Sequence, residues 1–199
     1  MNIDENLIKL SGKSFLSISD LNSEQINHLI NLAALLKNKS VQYNYPKKVL
    51  GLIFEKSSTR TRVSFQVAMN RLSGNTIEIS PSNTQIGRGE SIKDTVRVLS
   101  NYVDALAIRT FEQDILDEYE KWGTIPVINA LTDLEHPCQI LADFLTIKEE
   151  FGSFDDVEVS YFGDGNNIAN SLILCGAILG VQINIACPGE FKPNDQIIK

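Results

Sequence analysis

Histidine occurs twice in these 199 residues, cysteine three times, and long apolar runs are missing. Cys138, Cys175 and Cys187 are odd in number and lack paired C-x-x-C spacing. They indicate neither a disulfide framework nor a zinc site, and reduced thiols are expected. No stretch approaches the roughly 18 uncharged apolar residues needed to span a bilayer. The opening MNIDENLIKLSGK has no apolar core of the signal-peptide kind. A soluble, cytoplasmic protein is expected. The sequence has no G-x-x-x-x-G-K-[ST], which argues against an ATP-binding P-loop, and no internal repeat. Positive charge is short overall: the net charge of −7 disfavours nucleic acid or an anionic membrane as partner.

The positive charge that exists is concentrated. Between Lys47 and Arg109 there are ten Lys or Arg against five Asp or Glu, a local +5, which leaves eight against twenty, or −12, elsewhere. Such confinement suits a site for a small anion. With 43% apolar and 22% charged residues, the chain can bury a core, and its length suits one complete domain and part of a second.

Asn22 and Gln25 form a candidate capping box, and Ile26, Leu29, Ile30, Ala33 and Leu36 continue at helical spacing, predicting a helix over 23–38. "VLGLIF", Val49 to Phe54, is uninterrupted by polar residues, as a strand buried on both faces requires. Val63, Val67, Met69 and Leu72 then mark a helix ended by Gly74. Four further strands follow, "NTIEIS", "DALAIR", "PVINA" and "VEVSYFG", each with a helix after it, the first of these helices from Ser91 to about Tyr102, and "VQINIAC" is a last strand. Strands alternating with helices predict an α/β fold, a parallel sheet with helices on both faces. The polar stretch Glu149 to Asp156 is the expected domain boundary, giving domains at 1–150 and 151–199. One βαβ unit beyond it cannot complete a doubly wound domain, so the second domain is expected to be incomplete.

In parallel sheets ligands bind beyond the carboxyl ends of strands. "SSTRTR" stands there, and a helix beginning near Ser58 would offer unpaired N–H groups, the hydroxyls of Ser58, Thr59 and Thr61, and the Arg60 fork as a phosphate cradle. The alternative is an ordinary Ser58 N-cap with solvated arginines. Gln85 and Arg88 lie in a Gly-containing loop before another capped helix; a mobile surface loop is equally open. Arg109 ends a strand, where a guanidinium meets either an anion or a structural salt bridge. Pro137 suits the first helical turn, placing His136 at the N-cap and Gln139 one turn in. A helix N-terminus favours neutral imidazole, a donor to oxygen. His28 reads as structural, and Cys138 lacks a base to activate it. "GDGNN" resembles a dinucleotide turn, but Ile168 holds the third glycine position of G-x-G-x-x-G.

Taken together, "STRTR", "QIGRGESIKDT", "IRTF", "HPCQILADFLT" and "GDGNNIANS" resemble, in order and spacing, the aspartate and ornithine carbamoyltransferase family, most closely its ornithine branch, from about Leu10 to Pro188. The resemblance implies two α/β domains, the first for carbamoyl phosphate and the second for the amino acid, assembled as trimers or their multiples. It implies transfer of a carbamoyl group from carbamoyl phosphate to the side-chain amine of L-ornithine, giving L-citrulline and phosphate in arginine biosynthesis, without metal or cofactor. By motif, Ser58, Thr59, Arg60 and Thr61 would hold the phosphate, and Arg109, His136 and Gln139 the carbamoyl group, with Arg60, Arg109 and His136 catalytic. Gln85 would reach an adjacent subunit's site, and Asn167 would bind the ornithine backbone. The family's later Cys-Leu-Pro and Ser-Met motifs would fall beyond Lys199. Other acceptors (aspartate, N-acetylornithine, putrescine), a non-catalytic anion-binding module and a dehydrogenase remain as alternatives.

Overall fold

The structure, a computed structural model, describes residues 10–80 and 84–198. In chain order its elements are α1 (Ser23–Lys37), β1 (Val49–Phe54), α2 (Arg60–Arg71), β2 (Asn75–Ile79), α3 (Ile92–Leu99), β3 (Ala105–Arg109), α4 (Gln113–Trp122), β4 (Val127–Leu131), α5 (Pro137–Phe151), β5 (Glu158–Phe162), α6 (Asn167–Leu179), β6 (Gln182–Ala186) and α7 (Asp195–Ile198). Single 3-10 turns occupy Ile18–Asp20 and Ile86–Arg88. The chain forms two compact units: Gly12–Leu16 with Val41–Thr132, and Ser17–Ser40 with the residues from Asp133 onward.

The first unit is built on a parallel sheet of order β2-β1-β3-β4. Its central strand is apolar throughout because both faces are covered. Leu50 and Leu52 pack with Ala107 and Ala130 beneath Phe65 and Met69 of α2. Ile53 points the other way, into a cluster of Leu106, Ile108, Val127, Val96, Leu116 and Tyr119 that includes side chains of α3 and α4. Each fully buried Leu or Ile of this kind stabilises by roughly 1.5–3 kcal/mol. The β4 edge is closed by Phe15, whose N–H donates to the Val127 carbonyl and whose carbonyl accepts from Asn129 N–H, both at 2.8 Å.

The expected alternation is present, with three local corrections. The second helix begins at Arg60 rather than near Ser58, because Thr59 is its N-cap and Ser58 lies outside it. Its sheet-facing residues are Phe65 and Met69, whereas Val63 and Val67 are 46% and 42% exposed. Val63 and Phe65 lie about 200° apart around a helix and cannot face one sheet together. The helix after Ser91 ends at Leu99, short of the expected Tyr102.

In the second unit, β5 and β6 pair in parallel beside α6. α1 carries the expected capping box, with Asn22 and Gln25 exchanging side-chain-to-backbone bonds at 2.9 and 3.0 Å. It packs on α5, where Lys37 Nζ meets Glu149 Oε2 at 2.6 Å and Ile26, Ile30, Ile140 and Phe144 are buried. α6 is apolar apart from Asn167, Asn170 and Ser171, and the last two are buried. Its Gly176 admits β6 so closely that a Cβ there would lie 2.2 Å from Ile183 Cγ1.

Candidate active site

In the first unit the candidate anion ligands Ser58, Thr59, Arg60, Thr61 and Arg109 lie at the carboxyl ends of two neighbouring strands, the first four in the loop and helix start after β1 and the last at the end of β3. Phe54 is in register with Arg109, and the Glu55 N–H donates to the Arg109 carbonyl at 2.9 Å, so the loop leaving β1 is tied to the end of β3. This loop ends at the amino end of α2, where Thr59 is in helical conformation and caps nothing with its side chain. The first N–H groups of that helix therefore have no capping oxygen and point outward with the positive end of the dipole. Ser58, Thr59, Arg60 and Thr61 direct no side-chain hydrogen bond or ion pair to any described residue. An N-cap role for Ser58 is thereby excluded, whereas Arg62 is absorbed by Glu78 at 2.7 Å.

Arg109 is the informative side chain. It is half-buried, its Nε is sealed from solvent, and its guanidinium has no hydrogen-bond or ion-pair partner among the described residues. Burial holds its pKa below the usual arginine value. Glu55 does not neutralise it: successive strand residues face opposite sides, and the Glu55 carboxylate accepts instead from the Thr110 hydroxyl. The salt-bridge explanation left open by the sequence is not what the structure contains among these residues. An unpaired, partly desolvated guanidinium is the arrangement that an arriving anion or carbonyl oxygen would complete. Gln85, the residue before the 3-10 turn Ile86–Arg88, is exposed and its side chain makes no bond to the described residues.

The second unit carries the other candidates at two helix amino ends. His136 is the N-cap of α5 and Pro137 its first residue, as the spacing predicts; Gln139 follows in the first turn, exposed, its amide donating to Asp143 at 2.8 Å. Asn166 caps α6, accepting from the N–H groups of Ile168 and Ala169 at 2.9 and 3.3 Å, and Asn167 is the first helical residue.

Sequence reasoning passed over the residues that hold His136. Its N–H donates to Ser171 Oγ at 3.0 Å, and the Ser171 hydroxyl donates to Glu135 Oε2 at 3.1 Å. Glu135 also accepts from Ser17 Oγ at 2.6 Å and from the Ile18 N–H at 3.2 Å, while Asn170 donates to the Leu134 carbonyl at 2.9 Å. The available signal was the pair of polar residues, Asn170 and Ser171, inside an apolar helix.

Two further candidates are resolved. Burial pushes the Cys138 thiol up to about 12, unsuited to a nucleophile at neutral pH. A Cβ on Gly165 would lie 2.0 Å from Pro193 N and 2.3 Å from the Lys192 carbonyl carbon. That glycine admits the chain's own 191–193 segment, which the Gly165 N–H meets at 2.7 Å through the Phe191 carbonyl. The space a dinucleotide pyrophosphate would approach is occupied by protein. Among the described residues no cluster of three or more His, Cys, Asp or Glu could hold a metal, and no helix is long and apolar enough to cross a membrane.

Comparison with known proteins adds to this geometry. Residues 13–149 match the family model described as the aspartate/ornithine carbamoyltransferase carbamoyl-P binding domain, and residues 155–199 the Asp/Orn binding domain. An ornithine carbamoyltransferase of Prochlorococcus marinus subsp. pastoris is 60% identical over 190 residues, 96% of this chain and 62% of the relative. Another, from Prochlorococcus marinus strain SARG, is 58% identical across the whole chain and 63% of its own length. Among solved structures, the ornithine carbamoyltransferase of Pyrococcus furiosus superposes with a TM-score of 0.90 at 41% identity, over 95% of this chain and 62% of that one. The Gloeobacter violaceus enzyme gives 0.86 at 49% identity, over 92% and 61%. The chain thus spans a little over three-fifths of the length of these relatives. From the two domain matches and these identities, the chain belongs to the aspartate/ornithine carbamoyltransferase family.

Proposed function

We propose that this protein binds carbamoyl phosphate and transfers its carbamoyl group to the side-chain amine of L-ornithine, releasing L-citrulline and phosphate, as a step of arginine biosynthesis. The observation that carries the reading is Arg109, a partly desolvated guanidinium unpaired among the described residues, at the end of the strand next to the one whose loop leads into an uncapped helix amino end. The names of the relatives, ornithine carbamoyltransferases at up to 60% identity, support ornithine as acceptor. Residues 1–150 form the carbamoyl phosphate-binding domain and 151–199 begin the ornithine-binding one. The protein works in the cytoplasm as a trimer or a multiple of trimers.

Each proposed residue has a role that the chemistry requires. The uncharged amine attacks the carbonyl carbon, the carbon–oxygen bond to phosphorus breaks, and the amine gives up a proton. Negative charge builds first on the carbonyl oxygen and then on the departing phosphate. Arg109, Thr61 and His136 donate to the carbonyl oxygen, and Gln139 orients the carbamoyl nitrogen. Arg60, Ser58, Thr59 and the α2 amino end hold the phosphate as it leaves. Gln85 serves a neighbouring subunit, and Asn167 binds the amino-acid backbone of ornithine. The side-chain ammonium of ornithine must lose its proton before this attack.

Citrulline formation from millimolar carbamoyl phosphate and ornithine tests the reading. Product with aspartate, N-acetylornithine or putrescine but none with ornithine would move the protein to another branch of the family. No product with any acceptor would overturn the transfer itself.

A further inference from the structure

Three consecutive residues ahead of α5 are each held by a different group. The Leu134 carbonyl is bonded by Asn170, the Glu135 carboxylate by Ser17, Ile18 and Ser171, and the His136 N–H by Ser171. Glu135 is 2% exposed and Ser171 fully buried, so the bonds joining Glu135 to Ile18 and Ser171, and Ser171 to the His136 N–H, are shielded from water. On the other side of His136, the Pro137 ring fixes its own φ. His136 itself sits at φ −135° and ψ 69°, outside the helix. With both neighbours fixed and its own N–H bonded, its Cα–Cβ direction is set and only the imidazole torsions remain.

The choice of a carboxylate is itself informative. Glu135 receives three donors on two oxygens; a neutral amide keeps the Ile18 and Ser171 bonds only by turning its N–H₂ to the Ser17 hydroxyl, and it loses the strength that a charged acceptor gives all three. Burial raises the Glu135 pKa, and the bonds from Ser17, Ile18 and Ser171 oppose that rise. A buried carboxylate is costly in a core that needed only to be filled. Here it fastens the 3-10 turn at Ile18 and the amino-terminal half of α6 to the residue preceding His136.

We propose that Glu135 and Ser171 are positioning residues for His136, fixing the main chain from which its imidazole reaches the carbamoyl oxygen. This rests on the reading of His136 given above. A preorganised donor acts without reorganising during the reaction, and a misplacement of about 1 Å can cost on the order of a hundredfold in rate.

The test compares Ser171→Ala and Glu135→Gln with Ile30→Val, a mild core variant of the same unit outside this network. Hydrogen exchange at the His136 amide and citrulline kinetics are followed in all of them. Ser171→Ala is expected to speed His136 exchange at least about tenfold and to lower kcat by about tenfold, with KM for carbamoyl phosphate within about twofold. Glu135→Gln moves both readouts in the same direction, and Ile30→Val moves neither. Exchange and kcat in both network variants matching those of Ile30→Val would overturn the proposal. If the wild-type protein makes no citrulline, the functional reading has failed; His136 exchange alone then decides, with protection kept in both variants counting against positioning. Should Ser171→Ala not fold, the near-isosteric Glu135→Gln carries the same comparison.

Discussion

The Glu55 N–H is bonded to the Arg109 carbonyl at 2.9 Å, yet the Glu55 carboxylate is turned to Thr110 and the Arg109 guanidinium is left without a counter-charge among the described residues. Adjacent strands bring acid and base together in the backbone, while the strand pleat sends their side chains apart. The protein bears the desolvation of Arg109 in the unliganded fold, and a bound anion would relieve it.

It follows that Arg109→Met should leave thermal stability unchanged or raise it, because the variant removes a desolvated charge that pairs with no described residue. The same change should weaken carbamoyl phosphate binding at least about tenfold. A melting temperature well below wild type, with binding intact, would show that the guanidinium supports the fold instead.

Arg60→Ala should behave as a purely functional variant. Its side chain is exposed and bonds to no described residue, so folding stability should not move. Its loss should remove about 3 kcal/mol of transition-state stabilisation, read as a fall in kcat/KM of roughly two orders of magnitude. A loss below about threefold would mean that the phosphate sits elsewhere.

Gly165→Ala should destabilise by about 1–3 kcal/mol, because the new methyl meets backbone atoms of Lys192 and Pro193 that cannot swing aside. Urea unfolding of the two proteins measures it. A neutral result would show that the 191–193 segment moves away readily, reopening the room that a dinucleotide needs.

Two carboxylates should give pH dependences of opposite sign. Asp104 accepts from Lys48 Nζ at 2.6 Å and from the Val49 N–H at 2.8 Å, and these bonds lower its pKa. A depressed folded pKa adds stability above the unfolded value of about 3.9, lost as pH falls through the folded value. The stability gap between wild type and Asp104→Asn should therefore be open at neutral pH and close in strong acid. Glu135 is shifted upward, chiefly by burial. Its ionisation weakens the fold as pH rises from the unfolded value of about 4.3 through the raised one, and Glu135→Gln should remove that slope. Thermal melts across pH for the three proteins check both signs.

The parallel alternation was legible because "VLGLIF" carries no polar residue where both of its faces are covered, and because Asn22 and Pro137 mark helix starts by their own chemistry. The start of α2 was misread since Ser58 has an N-cap's composition, whereas Thr59 takes the position in helical conformation and caps nothing. Val63 and Val67 keep helical spacing but surrender the sheet to Phe65 and Met69, a choice that periodicity alone does not make. Glu135 and Ser171 stand 36 positions apart, and no local pattern shows that one bonds the other. What the sequence could not reveal was also the state of Arg109: whether a strand-end arginine has a partner depends on side-chain direction, which the pleat decides.

The central claim is that the amino end of α2 holds carbamoyl phosphate. Titration calorimetry of carbamoyl phosphate into wild-type protein and Arg60→Ala measures it directly. The account predicts saturable binding to the wild type, weakened at least about tenfold by the substitution. No saturable binding, or equal affinity in the two proteins, would contradict it.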